Sequence, residues 1–203
     1  DNVAYVEFRN SPYNIADLNH ISVADSLRWM RESFAEASER TSVDARLILS
    51  FSRYNFDYDI ATQMLDAVEE VNQSRFIVGV DMSGDETQPV PLDSHRLFRR
   101  AKDELGLGVT IHAGECGSLE NITWAINECR ADRIGHGLAA STHPSTLDTL
   151  RDRNVCIEVC LTSNLLTSMA PDLETHAIHE FLKFGVPFVL CSDNPAVHAR
   201  SLS

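Results

Sequence analysis

The sequence VTIHAGE occupies residues 109–115 and places a histidine at the end of an apolar run, with a glutamate three residues later. A short run of β-branched and aliphatic residues of this kind predicts a buried strand. His112 then falls at the carboxyl end of the strand, and Glu115 falls in the loop that follows. Two interpretations of His112 are open: a core side chain with one hydrogen-bond partner, or part of a reactive site at the strand ends.

Six other short apolar runs share this pattern, and segments with helical spacing separate them. One such segment, SVADSLRWMRESFAEASER, begins with Ser22 as a helix N-cap. Alternation of strand and helix predicts parallel strands joined by right-handed crossovers. The seven predicted strands are 3–8, 45–51, 76–82, 108–113, 132–137, 155–160 and 186–192.

Polar residues follow the carboxyl ends of most predicted strands, as Asp81, His112, His136 and Asp193 do. In a closed barrel these ends converge on one mouth, whereas in an open sheet they spread along an edge. No predicted strand is followed by a GxGxxG motif, so we favour the barrel. Seven strands fall short of the eight of a TIM barrel. The predicted fold is therefore an α/β chain of the TIM (β/α)8-barrel type that is incomplete, with strand 1 and the terminal helix absent.

The composition narrows the classes of partner. The formal net charge is −13 and the isoelectric point is about 4.9, which disfavours nucleic acids and anionic membranes as partners. The cysteine count is odd, with five cysteines and no CxxC pair, which favours a reducing, cytoplasmic setting. No apolar run approaches the roughly 20 residues that span a bilayer. A small neutral or cationic ligand remains compatible with the charge.

Three strand ends supply groups that suit a metal. His136 lies between two glycines in RIGHG, Asp193 follows the strand in VLCSDNP, and His112 and Glu115 belong to VTIHAGE. Imidazole and carboxylate ligands suit a divalent transition metal, zinc foremost. Zinc lowers the pKa of its bound water from about 15.7 to about 7, and Glu115 is a candidate proton donor. These residues predict metal-assisted hydrolysis at a carbon that bears a nitrogen leaving group.

Five motifs, in this order and spacing, resemble those of the adenosine deaminase family, a branch of the zinc-dependent amidohydrolase superfamily. They are VGVDMSGDE, VTIHAGE, RIGHG, IEVCLTSNLLTS and VLCSDNP. The resemblance implies a single metal-dependent deaminase domain over residues 1–203, truncated at both ends. It also implies one zinc ion per chain. The implied reaction converts adenosine or 2′-deoxyadenosine to inosine or 2′-deoxyinosine with release of ammonia.

The resemblance also implies roles for individual residues. His112 and Asp193 match zinc ligands, and Asp193 also accepts a hydrogen bond from the attacking water. Glu115 matches the acid that protonates the purine ring nitrogen N1. His136 matches the residue beside the metal that orients the hydroxide and stabilises the developing charge.

Two substrate contacts and two departures from the family pattern follow. Gly84 resembles the position whose backbone N–H reaches purine N3. Asn194 stands where the family more often has an aspartate near N7, and its N–H groups can donate to that acceptor; the alternative interpretation of Asn194 is a helix N-cap. The family also has an H-x-H pair on its first strand, and no such pair occurs in this sequence. His176 and His179 do not replace it, since they fall on a predicted helix at the wrong end of the chain.

Other interpretations remain open. A related aminopurine, such as adenine or a methylated adenine nucleotide, is an alternative substrate, and a non-catalytic relative that binds purine or a protein partner is an alternative function. Ser163 and Asn164 either orient His136 or Asp193 or form a simple turn. Glu86 is interpreted as a loop charge outside the catalytic set.

Overall fold

The computed structural model describes residues 3–198, which form two compact units. The first unit comprises residues 3–84 and 90–109, and the second comprises residues 85–89 and 110–198. Strand β4 (Gly108–Ala113) contributes its first two residues to the first unit and its last four to the second. The prediction of a single domain stays a prediction.

In the first unit, parallel strands alternate with helices. Strand β1 pairs with β2, β2 pairs with β3, and β3 pairs with the start of β4 through Val80 and Val109. The strands are β1 (Tyr5–Asn10), β2 (Asp44–Ser52) and β3 (Ile77–Ser83). The helices are α1 (Pro12–Asn19), α2 (Val23–Thr41), α3 (Tyr58–Val71) and α4 (His95–Asp103), with a 3₁₀ helix at Asn72–Ser74.

The second unit continues the same alternation. The end of β4 pairs with β5, β5 with β6, and β6 with β7, all in parallel. The strands are β5 (Arg133–His136), β6 (Cys156–Val159) and β7 (Phe188–Leu190). The helices are α5 (Leu119–Asn127), α6 (Pro144–Asp152), α7 (Leu161–Leu166), α8 (Ile178–Phe184) and α9 (Pro195–His198), with a 3₁₀ helix at Leu138–Thr142.

Local sequence explains where several helices begin. The Ser22 hydroxyl accepts the Asp25 N–H at 3.0 Å, as predicted for α2, and the Ser118 hydroxyl accepts the Asn121 N–H at 3.2 Å at the start of α5. These contacts satisfy backbone donors that have no partner within the helix.

Three helices, α1, α7 and α9, were not predicted, because each is short and their apolar residues do not repeat over enough turns to show a helical period.

One face of the second unit's sheet is fully buried in the middle of the strands, where Ile111, Ile134 and Ile157 pair in register. Ile111, Ile134 and Ile157 are each 0% exposed, which is typical of parallel strands covered by helices. Among residues 3–198, no helix combines the length and apolar composition that crossing a bilayer requires.

Candidate active site

Two histidines lie side by side at the carboxyl ends of β4 and β5. In the parallel register, His112 pairs with Gly135 and Ala113 pairs with His136. The centres of the two imidazole rings are 5.2 Å apart. A Cβ atom at position 135 would lie 3.3 Å from both Cα and Cγ of His112, so the glycine before His136 allows the His112 ring to pack against the β5 backbone.

The backbone is left-handed at two of the predicted site residues. His136 has φ 63° and Asp193 has φ 56°. A residue other than glycine held in this region costs on the order of 1–3 kcal/mol, and such residues cluster at functional sites. Histidine and aspartate adopt the conformation more readily than most residue types. The local strain therefore marks both strand ends as candidates for function.

The Glu115 carboxylate lies beside His136. Its Oε2 is 3.6 Å from His136 Nε2. Burial raises the pKa of Glu115; the nearby His112 opposes this shift, and the negative charges of Asp193 and Glu86 add to it. Glu115 therefore keeps its proton to a higher pH than an exposed glutamate does, which suits a general acid.

Glu86 holds the loop that carries Glu115. It is only 6% exposed, and its carboxylate accepts the backbone N–H groups of Gly114 at 2.7 Å and Glu115 at 2.8 Å. The Asn121 side-chain amide donates a third bond at 3.0 Å. The interpretation of Glu86 as a loop charge is therefore wrong. The two residues of the Gly114 contact are 28 positions apart in the sequence, so no local sequence pattern predicts it.

Gly114 begins the same loop under tight steric limits. Its φ is +74°, and a Cβ there would lie 2.5 Å from Ile122 Cδ1. We expect Gly114→Ala to lower the free energy of unfolding by about 1–3 kcal/mol more than Gly117→Ala, because overpacking adds to the conformational cost. Gly117 is a matched control, since its φ is +89° and nothing lies within 4 Å of a Cβ built there. Denaturant unfolding measures both, and equal losses would contradict the packing argument.

One group of possible metal ligands emerges within the described part of the chain. Ligand atoms of His136, Cys160 and Asp193 all lie within 4.8 Å of one another. Imidazole, thiolate and carboxylate are all zinc ligands, so the donor set fits this metal. Asp193 was predicted as a ligand and belongs to the group. A metal role for Cys160 was judged improbable from the sequence, because Cys156 and Cys160, four apart on one strand, lie about 13 Å apart. His112, the other predicted ligand, is the ring neighbour of His136.

Behind His136 lies a buried chain of polar side chains. Asn164 Nδ2 is 3.1 Å from His136 Nδ1, and His176 Nε2 is 3.2 Å from Asn164 Oδ1. The expectation that His176 lies on a helix at the wrong end is incorrect: His176 precedes helix α8, which begins at Ile178. Because the helical spacing was extended too far towards the N-terminus, this contact was missed.

The two predicted substrate-binding residues fall in different units. Asn194 is exposed, and its Oδ1 accepts the Val197 N–H at 3.3 Å at the start of α9. The side-chain oxygen therefore caps this helix, as the N-cap interpretation predicts. Gly84 belongs to the first unit and has φ +110°. Substrate binding by either residue stays a prediction.

Sequence comparison relates the whole chain to one family. The sequence model described as Adenosine deaminase matches residues 1–203. The adenosine deaminase of Aliivibrio fischeri (strain MJ11) is 36% identical over 201 residues, and that of Vibrio parahaemolyticus is 38% identical over 202 residues. Each alignment covers 98% of this chain and 59% of the relative. The chain thus spans about three fifths of the length of these curated relatives.

Solved structures agree with the sequence comparison. A zinc-bound amidohydrolase from Burkholderia ambifaria superposes with a TM-score of 0.85 at 26% identity, covering 97% of this chain and 54% of that one. The adenine deaminase of Arthrobacter aurescens gives a TM-score of 0.83 at 27% identity, covering 97% and 58%. An Arabidopsis N6-mAMP deaminase gives 0.86 at 25% identity, covering 99% and 60%.

These matches, together with parallel strands that pair in chain order, confirm the predicted fold class, an incomplete α/β barrel of the TIM type. The match to the sequence model extends over all 203 residues, and the relatives share more than a third of their aligned positions with this chain. The chain belongs to the adenosine deaminase family.

Proposed function

We propose that the protein carrying this chain hydrolytically deaminates adenosine or 2′-deoxyadenosine, yielding inosine or 2′-deoxyinosine and ammonia. The observation that carries the proposal is the Glu115 carboxyl, whose pKa is raised by burial, 3.6 Å from His136 Nε2. His136 ends strand β5 and Glu115 lies in the loop that follows the neighbouring strand β4, so the two groups can act on one substrate. Family membership supports the same chemistry, since the relatives described above are named adenosine deaminase.

In the proposed mechanism, the chain's own residues move and hold protons. Glu115 donates its proton to ring nitrogen N1, which makes the neighbouring carbon C6 more electrophilic. His136 orients the attacking water and stabilises the charge that develops as the water adds to C6. A proton of that water then passes to the amino nitrogen, the C6–N bond breaks, and ammonia leaves. His112 and Asp193 would hold one zinc ion, which supplies an activated water at neutral pH. The Asp193 carboxylate supports this proposal, because it lies within 4.8 Å of possible ligand atoms of two other side chains.

Purine recognition is proposed for Asn194. Its Oδ1 accepts the Val197 N–H, so an amide N–H group is the natural donor to purine N7, which is an acceptor. An amide donates at every pH, whereas an aspartate at this position must first be protonated.

The net charge of −13 favours a neutral nucleoside over nucleic acid, whose phosphates it repels.

A related aminopurine is the second candidate substrate. Two of the similar solved structures are named adenine deaminase and N6-mAMP deaminase. The residues proposed to act on C6 would serve these substrates equally, because all of them carry an amino or methylamino group at that carbon. The assay must therefore compare purines directly.

The test uses the intact protein. Adenosine, 2′-deoxyadenosine, adenine and N6-methyl-AMP are supplied separately. The release of ammonia, or of methylamine from N6-methyl-AMP, and the ultraviolet spectrum of the purine are followed. We expect the highest kcat/KM for the two nucleosides and about one zinc ion per chain by elemental analysis. Preference for adenine or N6-methyl-AMP would overturn the nucleoside assignment. Absence of zinc together with absence of any amine release or spectral change of the purine would favour the non-catalytic binder.

Metal content gives a prediction that is independent of turnover. We expect His112→Ala to lower the zinc content of the purified protein well below that of the parent, because a ligand is lost. His143→Ala is a matched control, since His143 is exposed and its Nδ1 contacts the Ala139 carbonyl at 3.0 Å. Unchanged zinc content in the His112 variant would remove His112 from the ligand set.

A further inference from the structure

We propose that Asn164 and His176 are positioning residues that fix the tautomer of His136, so that its proton sits on Nε2, the nitrogen that faces Glu115. The inference deepens the proposed function, because it assigns the proton of the residue proposed to orient the water. The tautomer can be tested without any turnover.

The chain of contacts starts at a backbone amide. The Ile178 N–H donates to His176 Nδ1 at 3.1 Å. A backbone N–H can only donate, so His176 Nδ1 must present its lone pair, and a neutral His176 carries its proton on Nε2. Burial lowers the pKa of His176, and the nearby His179 adds to the shift, so the ring stays neutral at ordinary pH.

The second step passes through Asn164. His176 Nε2 then donates to Asn164 Oδ1, which lies 3.2 Å away. With its oxygen engaged, Asn164 must turn its NH₂ group towards His136, where Nδ2 lies 3.1 Å from His136 Nδ1. His136 Nδ1 is therefore an acceptor, and the proton of a neutral His136 resides on Nε2. The bond made by one ring nitrogen sets the state of the other.

Burial leaves one consistent assignment of donors and acceptors along this chain of contacts. His136 and His176 are each 2% exposed, and Asn164 is 0% exposed. Bulk water has little access to replace any of these bonds, and reversing the Asn164 amide would place two donors, its NH₂ group and the His176 Nε2–H, against each other. An unsatisfied buried polar pair costs about 1–3 kcal/mol. The amide orientation is thus held from the His176 side.

The consequence for catalysis is geometric. His136 Nε2 lies 3.6 Å from Glu115 Oε2, so its N–H is directed into the proposed reaction site. With the proton on Nδ1 instead, His136 would present a lone pair there and the water would be oriented differently. In another triad of hydrogen-bonded catalytic residues, the wrong histidine tautomer costs about 10⁴ in kcat.

The test is Asn164→Asp in the intact protein. A carboxylate at this position can only accept, so it draws a proton to His136 Nδ1 while still accepting from His176 Nε2, and it has nearly the same shape as asparagine. We expect ¹⁵N NMR of histidine-labelled protein to show the proton of His136 on Nε2 in the parent and on Nδ1 in the variant. We also expect kcat to fall on the order of 10²–10⁴-fold with a smaller change in KM.

A second pair of variants separates positioning from packing. In His176→Gln the side-chain amide can still donate to Asn164 Oδ1, whereas in His176→Leu it cannot. We expect the Nε2 proton of His136 to persist in the glutamine variant and to become divided between the two nitrogens in the leucine variant. His179→Leu, which changes an exposed neighbour, should leave the His136 signal unchanged.

Three results would overturn the inference. The first is a parent protein in which His136 carries its proton on Nδ1, and the second is an Asn164→Asp protein with the parent's tautomer. The third is an unprotonated, zinc-bound Nε2, which would make His136 a ligand with Cys160 and Asp193. All three results come from spectra recorded without substrate. They can therefore be distinguished from a failure to deaminate any purine, which would overturn only the proposed function.

Discussion

The Glu115→Gln protein should lose deaminase activity by about 10²–10⁴-fold, the usual contribution of a positioned general acid. Glutamine keeps the shape and the polarity of the side chain but has no acidic proton to give to N1. The loss should fall mainly on kcat, because the proton is needed in the transition state and not for binding the purine. Steady-state kinetics with adenosine measures it.

Stability distinguishes this effect from damage to the fold. Since burial raises the pKa of Glu115, ionising it costs more in the folded protein than in the unfolded chain. The protonated Glu115 carboxyl thus makes its full contribution to folding stability below the pKa of an exposed glutamate. This contribution is lost as the pH rises through the raised pKa. The neutral glutamine avoids this loss, so the Tm of the variant should equal or exceed that of the parent at neutral pH.

The matched control is Glu120→Gln, an exposed glutamate on α5 in the same unit. It should change neither kcat nor Tm appreciably. If Glu115→Gln retained most of its activity, or if it lost activity only together with stability, Glu115 would not be the proton donor.

Glu86→Ala should cause the largest loss of stability among the variants considered. The substitution leaves the N–H groups of Gly114 and Glu115 and the amide of Asn121 without their shared acceptor. Each buried donor left without a partner costs about 1–3 kcal/mol, and relaxation of the loop recovers part of the sum. We expect the free energy of unfolding to fall by about 2–5 kcal/mol, measured by denaturant titration.

Two further variants sharpen this prediction. Glu86→Gln retains one acceptor oxygen and should lose an intermediate amount. Asp85→Ala removes an exposed carboxylate whose Oδ1 accepts the Thr87 N–H within a local turn, so its effect should be much smaller. Similar losses for Asp85→Ala and Glu86→Ala would show that the backbone contacts of Glu86 contribute little. Activity should fall in the Glu86 variants even at temperatures where they remain folded, because the Glu115 loop is released.

The sequence predicted the strands and the strand-end residues for physical reasons that are local. Buried parallel strands need continuous apolar runs, and a polar residue directly after such a run falls at a strand end, as His112 and His136 do. The pairing of neighbouring strands then placed these two rings 5.2 Å apart. None of this required knowledge of distant contacts.

What the sequence did not reveal depends on contacts between distant residues. Glu86 has the composition of an ordinary loop charge, and only the folded chain shows that it accepts bonds from residues 28 and 29 positions away. The contacts of His176 and Cys160 depend on the fold in the same way. Helix α7 is six residues long, which is too short for a helical period to appear in the pattern of apolar residues.

The left-handed backbone at His136 and Asp193 limits how this family member can be redesigned. Apart from glycine, only asparagine, aspartate and histidine enter that conformation with some ease, and a β-branched residue there is a genuine outlier. In libraries that randomise both codons, most residues outside this small set should therefore lower the stability of the fold. A cysteine or glutamate at either place would carry a conformational cost of about 1–3 kcal/mol, which a compensating change in the backbone would have to remove.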